Sequence, residues 1–252
     1  MEKDIKDYRE KELRSYVIAN FLVILIGTDF LNTIIKIISD NKDLALITTT
    51  TTFAVFSAVT YIFVFLADAL VSSETKDKVV WFRSGRPGES IFTEICKNNK
   101  DNRFTKQDAL AFYADIYAAI DAEGNEEEKK VVQNKNWYHI YKLHEKKAQV
   151  FISQRDSLLC RDINVITILL FVGFLMLSFF SHNPFSWYTV LFFFIEFFLT
   201  GFLSRNKGKR FAYNVIATDV AVKKAEMNNA KRVNAAEESI EYYVEVKRKN
   251  RY

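Results

Sequence analysis

Ile163-Asn-Val-Ile-Thr-Ile-Leu-Leu-Phe-Val-Gly-Phe-Leu-Met-Leu-Ser-Phe-Phe180 carries no charged side chain, and it decides how the rest of the chain is read. A helix rises about 1.5 Å per residue, so about 20 such residues cross the roughly 30 Å hydrocarbon core of a bilayer. Three more stretches have this character: about Tyr16 to Ile38, about Leu44 to Val71 and about Phe185 to Leu203. Asn20, Asp29, Asn32 and Lys36 interrupt the first of them. Outside these stretches the chain is densely charged. The totals for the 252 residues, 49% hydrophobic and 26% charged, therefore average two unlike kinds of sequence. Seven Gly and two Pro against 23 Phe exclude collagen-like and linker-like chains, and the apolar content excludes a wholly disordered one. Cys96 and Cys160 are too few for a disulfide framework, and reduced thiols in a cytosolic compartment are the simplest reading.

Lys and Arg counts set the orientation. The segment before the first span has five, balanced by five acids, which is unlike a cleaved signal peptide. The Ser72–Asp162 stretch has 16 and the tail from Ser204 has 12, whereas the Ser39–Asp43 loop has one and the Ser181–Pro184 loop none. The positive-inside rule places both termini and the middle segment in the cytoplasm, which requires an even number of spans. The expected fold is an all-α membrane protein with four transmembrane helices in two hairpins. Its parts are a cytosolic segment 1–15, a hairpin 16–71, a mainly helical cytosolic insert 72–162, a hairpin 163–204 and a basic cytosolic tail 205–252. The expected location is a cell membrane.

Ionisable groups at bilayer depth cost several kcal/mol unless paired or hydrated, so they are candidates for function. Glu196 falls near the middle of the fourth span and Asp29 in the outer half of the first. In the second span Thr50, Ala54, Ser57, Tyr61, Val64 and Asp68 share one stripe at 100° per residue, with Phe53, Phe56, Ile62, Phe63 and Phe65 over much of the rest. A small, polar stripe ending in an acid suits a water-filled path lined by several copies of the helix. The candidate ion path is therefore Thr50, Ser57, Tyr61, Asp68, Glu196 and Asp29. Hydroxyls in membrane helices also bond the i−4 carbonyl or pack between helices, and Glu196 also suits a buried pair with Asn20 or a tyrosine hydroxyl.

In the insert, Trp81 and Phe82 lead into Arg83-Ser-Gly-Arg-Pro-Gly88, and a helix is expected from about Glu89. Two arginines ahead of a helix N-terminus suit an anion, and an indole beside them suits a stacked base. The loop lacks P-loop spacing. A turn whose arginines meet the insert's own acids or lipid headgroups is the alternative. Thr105 with Asp108 reads as a capping box opening a helix that presents Ala109, Tyr113, Ile116, Tyr117 and Ile120. A third helix is expected from about Glu127 to Ile152, where aromatic and basic residues interleave as on nucleic-acid surfaces or membrane interfaces. The candidate ligand contacts are Arg83, Arg86, Trp81, Trp137, Lys142, Lys146 and Lys147. His139 and His144, five apart, are poorly spaced for a metal, even with Cys96 and Cys160, and no cofactor is implied. No catalytic constellation appears, so the expected protein is not an enzyme. Arg155-Asp156 and Arg161-Asp162 read as ion pairs where the third span begins. In the tail, Phe211, Val222, Val233 and Val244 recur every 11 residues, which keeps a seam on one face of a nearly straight helix.

Two membrane hairpins, a cytosolic sensing part with the Arg83–Gly88 loop and the Trp137–Lys147 helix, and acid-bearing spans resemble the small membrane effectors of bacterial anti-phage systems. The layout is most similar to the channel component of Hailong-type nucleotidyltransferase systems. That resemblance implies a channel gated by a short DNA or nucleotide bound to a cytosolic cap, a nucleotidyltransferase as partner, and membrane depolarisation with cell death as the outcome. The expectation is a homo-oligomer, a tetramer favoured, whose path is lined by the second span. The alternatives are a non-conducting scaffold that recruits a cytosolic partner, and a small transporter or lipid enzyme built on Glu196 and Asp29.

Overall fold

The computed structural model describes residues 5–28, 35–36, 42–82, 85–180 and 186–249, and every regular element among them is helical. Nine α-helices are described: α1 (Ile5–Gly27), α2 (Lys42–Leu70), α3 (Ser73–Trp81), α4 (Ile91–Asn98), α5 (Lys106–Phe112), α6 (Ala114–Ala122), α7 (Glu126–His144), α8 (Ala148–Phe180) and α9 (Trp187–Lys249). One 3-10 turn, Pro87–Glu89, precedes α4. The chain divides into two compact units, Met1–Arg86 with Ile152–Phe211 and Pro87–Phe151 with Ala212–Tyr252.

The first unit is a bundle of α1, α2, α3, most of α8 and the start of α9. Leu13, Val17 and Ile24 of α1 meet Val64 and Ala67 of α2, Ile166, Leu170 and Phe174 of α8, and Phe193 of α9. Gly27 allows a close approach, because a methyl group there would collide with the Thr189 hydroxyl of α9. Small residues of this kind let membrane helices pack by van der Waals contact where apolar surroundings supply no hydrophobic drive. Asn164 donates from Nδ2 to the Phe197 carbonyl at 3.0 Å and to Thr200 Oγ1 at 2.9 Å, tying α8 to α9.

The exterior of this bundle is apolar. Ile62, Phe65, Leu66, Leu191, Phe194, Phe198, Leu199 and Phe202 are all exposed, Phe198 by 58% and Phe65 by 61%. Trp187 and Tyr188 are exposed at the start of α9. Among the described residues, two helices are long and apolar enough to cross a membrane, within Ala148–Phe179 and Trp187–Glu238, and Ser57–Ala67 is a shorter apolar segment. Helix α1 starts well before the expected first span. Its charged first turns continue the same helix, with Arg14 paired to Glu10 one turn back. The remainder of that expected span, apart from Thr28, Ile35 and Lys36, lies outside the described residues.

The second unit packs α4 to α7 with the first turn of α8 and the part of α9 from Ala212. Phe92, Ile95, Ala109, Val150, Val215 and Ile216 are fully buried. The rings of Tyr113 and Tyr117 meet Phe92 edge-on at 5.5 and 6.0 Å. Thr105 opens α5 with the expected capping box, its hydroxyl accepting from the Asp108 N–H at 3.1 Å while Asp108 accepts from the Thr105 N–H at 2.7 Å. The helix expected to run on from it is divided at Tyr113, which leaves helical geometry (φ −125°, ψ 28°). The helix expected over Glu127–Ile152 is likewise divided. Helix α7 ends at His144, and α8 starts at Ala148 after a turn closed by Lys147 N–H to the His144 carbonyl at 2.9 Å. Both divisions free a polar side chain, Tyr113 or His144, to meet the same buried carboxylate.

Candidate membrane path and cytosolic contact sites

Inside the first unit the polar groups sit where the apolar exterior does not reach. Asn20 of α1 donates from Nδ2 to Glu196 Oε1 at 3.2 Å, and the Tyr16 hydroxyl also meets this carboxyl, so both kinds of partner expected for Glu196 are beside it. The Tyr16 hydroxyl lies 2.7 Å from Thr167 Oγ1, and Thr200 donates to the Glu196 carbonyl at 2.8 Å. These bonds join α1, α8 and α9 through partners that do not depend on water. They do not open a path, because Val17, Leu170, Phe174 and Phe193 fill the same interior at 1% exposure or less.

The expected path stripe on α2 is divided. Val64 is buried in the bundle core, whereas Ala54, Ser57 and Tyr61 are exposed. The Arg14 guanidinium lies over the Tyr61 ring, 4.5 Å from its centroid. Helix α2 buries Thr60, Val64 and Ala67, and exposes Val55, Val59, Ile62, Phe65 and Leu70. The side chains of Thr50 and Asp68, and all of Asp29, lie outside the described residues.

Where α8 begins its apolar stretch, the two expected acid–base neighbours are present as pairs, Arg155 with Asp156 at 2.7 Å and Arg161 with Asp162 at 3.4 Å. Asp162 is 2% exposed and has further partners, Arg9 Nε of α1 at 3.2 Å and Lys76 Nζ of α3 at 3.5 Å. Arg161 continues to Asp77 at 2.9 Å, and Asp77 to Arg86 at 3.5 Å. Arg205 donates to the Val80 carbonyl at 2.8 Å, and Lys207 pairs with Asp156 at 3.0 Å, so part of the basic run after the fourth stretch is used within the unit.

The candidate ligand residues are distributed over both units. In the first, Trp81 is only 9% exposed, with its indole packed rather than presented for stacking; exposed Phe82 follows it. Arg83 lies outside the described residues. In the second, a Cβ at Gly88 would sit 2.6 Å from Asn134 Oδ1 and 2.8 Å from Trp137 Cε3, so the loop end lies flat on α7 and only glycine fits. Trp137 stacks on Tyr141 at 5.8 Å and donates from Nε1 to the Ala212 carbonyl at 3.4 Å. Lys142 pairs with Glu145 at 2.8 Å and lies near the rings of Tyr138 and Tyr141, and the hydrogen bond to Glu145 raises its pKa. Lys146, Lys147 and Tyr138 are exposed.

One cluster was not expected from the sequence. Asp219 of α9 is 3% exposed and accepts from the Tyr113 hydroxyl at 2.7 Å and from Lys223 Nζ at 2.9 Å, with His144 Nε2 at 2.7 Å. Burial pushes the Asp219 carboxyl up, but hydrogen bonds from Lys223, His144 and Tyr113 outweigh it and leave the pKa below the usual 3.8. Burial first, and Asp219 second, raise the Tyr113 phenol far above its ordinary range. Nearby, Lys224 bonds Asp108 at 2.7 Å, which with the Thr105 N–H lowers that carboxyl to about 2. A carboxylate whose partners His144 and Tyr113 lie 75 and 106 residues away leaves no local motif; Lys223, one turn on, is its only local partner among the three.

Among the described residues no group of three or more His, Cys, Asp or Glu side chains is placed to hold a metal ion, and Cys96 and Cys160 are free thiols. His139 is exposed while His144 is buried on Asp219. Neither a protein family, nor a curated protein, nor a solved structure matches this chain.

Proposed function

We propose that this protein is a homo-oligomeric channel of a bacterial inner membrane, with four spans, cytoplasmic termini and a cytosolic helical unit that controls the membrane unit. The observation that carries the membrane part is the exterior of the first unit: leucine and phenylalanine are exposed there, while Asn20, Asn164, Thr167 and Thr200 are buried and Tyr16 and Glu196 half-buried. Water would reverse that arrangement, and lipid favours it. Because the interior is filled by Val17, Leu170, Phe174 and Phe193, a conducting path has to run between copies. Helix α2 offers the exposed Ser57 and Tyr61 for it.

In this reading the controlling ligand is a cytosolic anion, a nucleotide or short DNA, drawn to Lys142, Lys146 and Lys147 of the second unit, and gating depolarises the cell in anti-phage defence. A second reading, a non-conducting scaffold that recruits a protein partner, has its own support: Trp81 is buried, Arg86 faces Asp77 and Lys142 faces Glu145.

Ion flux through proteoliposomes of the full chain separates the two. A channel shows flux that Asp68→Asn makes less cation-selective and that a 10-nucleotide single-stranded DNA modulates in a steeply salt-dependent way. Absence of flux with and without DNA overturns the channel reading in favour of the scaffold.

A further inference from the structure

Helix α9 changes character within one turn. Ala212 to Ala217, Asp219 and Val220 are all buried, and every residue from Ala225 to Glu238 is exposed. Exposed helix of that length is marginal in water unless one face is covered. The sequence marks such a face. Ala225, Asn229, Val233, Ala236 and Ile240 follow one another by four, four, three and four residues, and Val222 and Val244 extend the series at each end. The spacing repeats every 11 residues, or about 3.67 per turn, close enough to the helical 3.6 to hold one stripe along a nearly straight helix. Val233 is 55% exposed and Ile240 63%.

We propose that this stripe is the seam of a parallel coiled coil formed with the same segment of other copies of this chain. The proposal rests on the membrane reading above, because α9 also carries an apolar span and every copy inserted the same way emerges with the same polarity. The charges fit that partner. Arg232 flanks the seam on one side just before Val233, and Glu237 flanks it on the other just after Ala236. In a parallel, in-register pair the Arg232 of one copy faces the Glu237 of the next, five positions on, and the relation is reciprocal. Asn229 is the one polar residue in the stripe. Buried between copies, an amide at such a position finds its partner in the equivalent amide, which fixes register and orientation. The segment then assembles the channel from the cytosolic side.

The test is disulfide cross-linking of the full-length protein in detergent, in a Cys96→Ser, Cys160→Ser background. Val233→Cys and Ile240→Cys are each expected to link copy to copy under mild oxidation, whereas Ala235→Cys, well off the seam, stays uncross-linked. Val233→Asp with Ile240→Asp is expected to lower the particle mass, and Ala235→Asp to leave it unchanged. A larger wild-type particle whose Val233→Cys and Ile240→Cys variants do not link overturns the seam and leaves the channel reading standing. Linked seam positions without ion flux overturn the channel and leave the seam standing. Equal linking at Ala235→Cys overturns the seam.

Discussion

The two units bury apolar side chains alike and differ in what they expose. In the second unit Phe92, Ile91 and Ile95 are inside and the charges of α7 are outside, as water requires. In the first, Phe194, Phe198 and Phe202 are outside, and an Asn–Glu hydrogen bond and an Asn–Thr hydrogen bond are inside. Both have fully buried apolar side chains, so the core does not distinguish them. Under the membrane proposal the solvent, rather than the content of the core, separates the two. Buried carboxylates tie helices together in both, Asp162 in the first unit and Asp219 in the second.

Removing a ring from each unit is the strongest way to break the comparison. Phe92→Ala leaves a cavity in a water-solvated core and is expected to destabilise the second unit by about 3–5 kcal/mol, read as lost hydrogen-exchange protection of its own amides. Phe198→Ala removes a ring already outside and is expected to move first-unit protection by no more than about 0.5 kcal/mol in detergent. Equal losses at the two positions would mean that the solvents do not differ.

A smaller effect tests the polar cluster on Asp219. Asp219 and Asp108 are both held below the ordinary carboxylate value, so their stabilisation is present above about pH 4 and is lost as pH falls through the lowered values. The second unit is therefore expected to lose hydrogen-exchange protection in acid below about pH 4. Asp219→Asn, which weakens charge-assisted bonds of about 1.5–3 kcal/mol, should lower the protection at neutral pH and flatten that acid limb. An acid limb unchanged in Asp219→Asn combined with Asp108→Asn would remove these carboxylates as its cause.

Much of this was legible where the cause is local. The Thr105–Asp108 capping box needs only three residues of spacing, and the adjacent Arg161 and Asp162 meet as neighbours. The uncharged run to Phe180 is one continuous helix. Glu196 announced a partner because a lone carboxyl among phenylalanines is costly, and Asn20 and Tyr16 both meet it. What could not be read depends on tertiary packing. Tyr113 and His144 end or interrupt helices whose periodicity continues through them, because both side chains satisfy Asp219, far away in the chain. Trp81 carries the composition of a stacking platform, but its neighbours bury it. Arg86 and Lys142 look available for an anion until Asp77 and Glu145 are seen beside them. Charge and aromaticity announce chemistry that the fold can spend internally.

The claim beneath all of this is that lipid, not water, surrounds the first unit. Spin labels placed singly at Leu199→Cys and Ala235→Cys, in the cysteine-free background and reconstituted into nanodiscs, measure it directly. The account predicts that the label at 199 collides more with oxygen than with a water-soluble nickel chelate, and that the label at 235 does the reverse. Ready access of the nickel chelate to position 199, equal to its access at 235, would contradict it.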